Sequence, residues 1–267
     1  MFRNLFGKKS APVEPTEAVQ PKAAAPSTTG PNAQPAEAEH PAVAAMLLTI
    51  ADKLPEDPLI GAKVASKEIY HAMMKALQSE RGVHVETLFT ALGALAGFAC
   101  QMGLRAEYAA RSETPPFVVI QGVDGHAFFF GDILNAPLAE TRYSVWSLVA
   151  GQAQKLGATP LPDLGEIFTH VSKTCGTEAF GVPRYPGEGR SNDLPVRLLQ
   201  VFWPFLHPRV SKFCMTPTTW HVAYGLAIQE AMTTAKSVIA PAAAAAQIIM
   251  ECAIPMSKIN AQEFGLA

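Results

Sequence analysis

The sequence predicts a mainly α-helical fold: a helical bundle domain with one inserted β-hairpin, preceded by a disordered Pro/Ala-rich arm. Three observations predict it. Apolar residues recur at helical spacing through most of the chain after residue 41. Gly and Pro fall at the ends of these periodic segments, where they stop helices. Two apolar β-prone runs flank Asp124-Gly125, a dipeptide that favours tight hairpin turns.

The arm is read first. MFRNLFGKKS, residues 1–10, is a short basic-aromatic head in which Phe2, Leu5 and Phe6 would share one helical face beside Arg3, Lys8 and Lys9. Residues 11–41 hold seven prolines among alanines and few large apolar groups. Such a linker buries too little to offset its ordering entropy. A single globular domain is expected over 42–267.

Within that domain, 42–54 reads as a helix stopped by Pro55, and 59–80 as a second stopped by Gly82. Residues 85–108 are apolar on nearly every side, which suits the centre of a bundle. Gly93 and Gly97 sit one turn apart there and would let a neighbouring helix approach closely. The run 88–104 falls just short of a typical membrane span of about 20 residues, so a buried helix is expected. Ser144 is a candidate N-cap for 144–157, with Gly157 as its stop. Asp163 and Glu166 form a capping-box pattern for 163–173. The segment 194–203 is expected to break at Pro204. Thr216 and Pro217 open 216–239, and 242–254 follows Pro241.

For the hairpin, a two-residue turn at Asp124-Gly125 pairs Val123 with His126, Gln121 with Phe128 and Val119 with Phe130. Asp132 then reads as the N-cap of the short turn after the second strand. Both strand faces are largely apolar, so the ribbon is expected to pack on helices.

Composition bounds function. The chain has 267 residues, 49% hydrophobic and 16% charged, with formal net charge −2. No basic excess exists to neutralise phosphates, so nucleic acid is not an expected partner. Cys100, Cys175, Cys214 and Cys252 are too widely spaced for a zinc motif and read as reduced thiols. No apolar stretch follows the basic head, which gives no secretory signal, and a cytoplasmic location is expected. Membrane association is expected, if anywhere, through the head. The low charge and abundant alanine are compatible with a homo-oligomer.

Sites of chemistry are sparse. No nucleophile elbow, phosphate-binding loop or dinucleotide fingerprint occurs. No cofactor or metal is expected. Glu166 and His170 share a helix face, a spacing that most often gives a solvent-facing ion pair. His84, His207 and His221 have no evident partner in sequence. The segment 175–195 is about twenty residues without helical period, and such loops are commonly functional. Phe180, Arg184, Tyr185 and Arg190 lie in it, a mix of aromatics and arginine typical of contact surfaces. They are the candidate partner-binding residues, with self-packing of an Ω-like loop as the competing reading. The sequence therefore favours a non-enzymatic protein-interaction or adaptor module tethered by its arm. The alternative is a hydrolase-like enzyme with a site assembled from His126, Asp132, Glu166, His170, Arg184 and Arg190.

Overall fold

A computed structural model describes residues 40–235 and 241–266. The readings of residues 1–10 as a head and of 11–39 as a linker lie outside the described residues. From Pro41 onward the chain forms one unit.

Helices dominate it. The first, α1, runs Pro41–Lys53 and α2 runs Ile60–Leu77. α2 ends earlier than its apolar period suggests, because Gln78–Ser79 (β1) turns back to pair with Gly82–Val83 (β2) around Gly82 at φ 93°. This second, very short hairpin has no periodic signal. α3 then spans Val85–Ala110. It is long and apolar enough to cross a membrane, and 89% of its most apolar window is buried within the fold.

After the larger hairpin, β3 (Val118–Gln121) and β4 (Ala127–Phe130), comes the short α4 (Asp132–Asn135), which passes into a π-helical turn at Ala136–Glu140. α5 follows at Val145–Lys155, its Ser144 cap accepting a hydrogen bond from the Ser147 N–H at 3.1 Å. α6 is Leu164–Thr174, capped by Asp163 through the Glu166 N–H at 3.1 Å. Both caps stand where the sequence puts them. α7 covers Pro195–Phe213, a 3₁₀ turn covers Pro217–Thr219, α8 is Trp220–Ala235 and α9 is Ala242–Met256.

α3 is the axis, with α7, α8 and α9 packed around it. Gly93 and Gly97 do admit a close neighbour: a Cβ at either would collide with the Ile249 or Ala253 carbonyl of α9. Gln101, fully buried near the far end of α3, donates to the Ser257 and Ile259 carbonyls at 2.9 and 3.0 Å. It thereby satisfies two backbone acceptors of the stretch that follows α9.

Two expectations fail for identifiable reasons. α7 does not break at Pro204; it continues through Pro204 and Pro208. Each interior proline costs about 3 kcal/mol, but both lie on the exposed face, where water can take the freed carbonyls. The opposite face buries Leu199, Trp203, Leu206 and Val210, and that burial holds the helix together. Asp132 does not cap: Gly131, at φ 120°, takes the N-cap position with no side-chain cap, and Asp132 is the first residue of α4.

The hairpin register also differs, by one residue. Gly125 N–H donates to the Gly122 carbonyl at 3.0 Å, and Gly125 itself sits at φ 83°. This is a three-residue loop with a glycine bulge rather than a two-residue turn. Gly122 N–H then closes on the His126 carbonyl at 2.8 Å, and the ladder pairs Val118 with Phe130, Val119 with Phe129, Ile120 with Phe128 and Gln121 with Ala127. A one-residue slip exchanges the faces of one strand relative to the other. Asp124 still shapes the turn, accepting from the His126 N–H at 3.0 Å.

Candidate functional site

The observed register decides which backbone groups of the ribbon face outward. In an antiparallel pair, hydrogen-bonded and non-hydrogen-bonded residue pairs alternate. Since Gly122 bonds His126, the pairs Ile120–Phe128 and Val118–Phe130 bond across the ladder. Val119 and Gln121 on β3, and Ala127 and Phe129 on β4, therefore point their N–H and C=O groups away from it.

The two borders are treated differently. On β4, Phe129 N–H donates to the Lys258 carbonyl at 2.8 Å, Phe128 bridges Ile259, and Ala127 N–H donates to Glu263 Oε2 at 2.9 Å. His126 Nδ1 lies 3.2 Å from the same Glu263 oxygen. The chain after α9 thus closes that border. On β3, Val119 and Gln121 find no hydrogen-bond partner for these groups among the described residues. Every β3 side chain is exposed as well, Val118 and Val119 at 55% and Ile120 at 43%, and Val123 at the turn is 86% exposed. Natural edge strands are usually blunted by charge, proline or cover; β3 carries Val, Val, Ile and Gln.

The loop 175–195 abuts this ribbon. Gly176, at φ 75°, lies so close to Gly122 that a Cβ would overlap it, and Phe180 meets Phe128 edge-on with ring centroids 4.6 Å apart. Arg184 is turned back into the domain, pairing with both oxygens of Glu166 on α6 and with Glu251 on α9. Glu251 is 1% exposed, so this arginine supplies the countercharge a buried carboxylate needs. Its hydrogen bond to Glu166 is the main reason its own pKa rises and that of Glu166 falls. The expected Glu166–His170 ion pair is therefore displaced: the partner of Glu166 comes from the loop.

Tyr185 is half-buried, its hydroxyl 3.1 Å from Thr90 Oγ1 on α3, and burial raises its pKa. Arg190 is exposed, its guanidinium 5.2 Å over the Tyr185 ring and bonded to the Gly187 and Gly189 carbonyls. Together with Val182, Pro183 and Leu194 these two residues line an open groove of about 370 Å³. The far end of the loop is pinned where Asn192 N–H donates to Thr87 Oγ1 at 2.9 Å.

The four sequence candidates thus divide. Phe180 and Arg184 fasten the loop, whereas Tyr185 and Arg190 shape an accessible groove. Glu251 and Glu263 were not singled out by sequence. A lone acid in the apolar run of α9 could have flagged Glu251 as a buried group awaiting a cation; nothing marks Glu263. Of the enzyme candidates, Glu166 and Arg184 meet as an ion pair, and His126 turns to Glu263. Among the described residues no three His, Cys, Asp or Glu side chains gather at metal-holding distance, and all four cysteines are free.

Comparison of the chain with family models, with curated proteins and with solved structures finds no match.

Proposed function

We propose that this protein is a non-enzymatic interaction module that takes an extended segment of a partner polypeptide as an added strand along β3. The observation that carries the reading is the unpaired outward edge at Val119 and Gln121, on a strand whose apolar side chains are exposed. Strand addition draws affinity from main-chain hydrogen bonds and specificity from alternate side chains. An added antiparallel strand would exchange both bonds with Val119 and both with Gln121, and its side chains would lie beside Val118, Val119 and Ile120. The Tyr185–Arg190 groove, on the loop that abuts the ribbon, supports a second contact of the same partner. In this reading the N-terminal head and linker tether the module.

The test uses Val119→Pro in the full chain. Proline removes the outward N–H of Val119 and leaves the inner ladder bonds of Val118 and Ile120 in place. Peptides selected from a random display library on the wild-type protein should protect the Val119 and Gln121 amides from hydrogen exchange. They should bind the variant about tenfold more weakly, the loss of roughly one hydrogen bond of 1–1.5 kcal/mol. Peptides that protect other amides and bind both proteins equally would refute the reading. So would a concentration-dependent dimer of the wild type that Val119→Pro dissociates, since the occupant would then be a second copy.

A further inference from the structure

A separate cleft of about 540 Å³ opens between the C-terminal half of α3, the α4–π-turn segment and the start of α8. Its volume lies in the range of pockets that hold small organic ligands. Leu104, Ile133, Ala136, Pro137 and Val222 make its walls mostly apolar. Two backbone features shape it. The π-helical turn Ala136–Glu140, closed by Thr141 N–H on the Ala136 carbonyl at 3.0 Å, carries Ala136 and Pro137 into the wall. Such turns often occur at binding sites. Gly103 lets the 3₁₀ turn at Pro217 press against α3, where any Cβ would strike the Pro217 carbonyl.

Charge is confined to the rim. Arg111 is already engaged, 3.6 Å from Glu107 and 3.4 Å from Glu113, with its guanidinium over the Tyr108 ring. Arg142 stands over the Tyr143 ring at 5.2 Å, and its guanidinium has no hydrogen-bond or carboxylate partner among the described residues. At the base His221 is nearly buried, and its ring bonds the Tyr143 backbone. With Arg111 held by Glu107 and Glu113, Arg142 is the lining charge without a countercharge, among the described residues, beside an apolar hollow.

We infer that this cleft binds a free single-chain carboxylate, its chain lying against Leu104, Ile133 and Ala136 and its head paired with Arg142. An arginine fork fits a carboxylate in two parallel hydrogen bonds, and the aromatic face of Tyr143 already orients that fork. An ammonium head would be repelled at the same rim. An alcohol of equal length would bury its chain but leave Arg142 unpaired.

The probes are decanoate, decanol and decylamine, titrated calorimetrically into the full chain. The expected result is decanoate binding with Kd on the order of 100 µM and at least about tenfold weaker binding of the other two. Arg142→Gln, at an exposed position, should weaken decanoate about tenfold while leaving decanol unchanged. Ala136→Trp, which fills the cleft, should abolish binding of both, with thermal melts confirming that each variant is folded. Equal affinity for the three probes, decanoate binding that ignores Arg142→Gln or Ala136→Trp, or no decanoate binding at about 1 mM would each overturn the inference.

Discussion

His221 offers the most direct quantitative test of the fold. Its imidazole is 6% exposed on α8, and desolvation holds its pKa down to about 4 from the ordinary 6.5, offset in part by its bond to the Tyr143 backbone. The folded state therefore resists a proton that the unfolded chain accepts. Stability from this group is fully present above the unfolded value and is lost as pH falls through the folded one. Integrating between the two values, the loss from about pH 7 to about pH 4.5 is about 2–3 kcal/mol. His221→Gln keeps a donor for the Tyr143 carbonyl and has no proton to gain. Urea unfolding of wild type and variant at both pH values should show the variant losing about 2–3 kcal/mol less over the interval. Equal losses in both proteins would refute the argument that this ring is buried neutral.

Two further predictions concern other buried charges. Arg184→Ala strips the countercharge from Glu251, which is 1% exposed, and should cost about 3 kcal/mol in denaturant unfolding. Glu251→Gln leaves an arginine that is 35% exposed and still paired with Glu166, and should cost nearer 1 kcal/mol; the double variant should show non-additivity above about 0.5 kcal/mol. Lys258 is 1% exposed, bonded to Asn135 Oδ1 at 2.9 Å and set near the Phe130 and Phe168 rings. Burial lowers its pKa to about 8 from 10.5. Its depressed folded value penalises stability below about pH 8 and relieves it toward about pH 10.5. Lys258→Met should therefore gain about 1–3 kcal/mol relative to wild type at neutral pH, and that advantage should shrink across the alkaline interval.

Local signals in the sequence carried most of the helical architecture. Ser144 and Asp163 cap where their hydroxyl and carboxylate can reach an N–H three residues on, and such bonds need no tertiary context. The Gly93–Gly97 spacing announced a tight helix contact, though not that α9 would fill it. Pro204 misled because local cost was weighed without the apolar face of α7 that outweighs it. The hairpin was legible in its existence but not its register, since a glycine at positive φ can end either a two-residue turn or a three-residue loop with a bulge. That single residue decided which β3 groups face outward: those of Val119 and Gln121 rather than those of Ile120 and Gly122. Of the loop residues that the sequence singles out, Tyr185 and Arg190 line an accessible groove. The role of Arg184 depends on Glu251, 67 residues later, and the cleft under Arg142 draws its walls from three distant segments, so neither has a local sequence signature.

The stretch Lys258–Glu263 lies along the border of β4 and covers it with main chain and with the Glu263 carboxylate. The ribbon is left with one growing side instead of two. In the proposed reading it therefore terminates any sheet it joins and cannot be the middle rung of a stack. Growth past the first guest strand is governed by the outer margin of that guest, not by this chain.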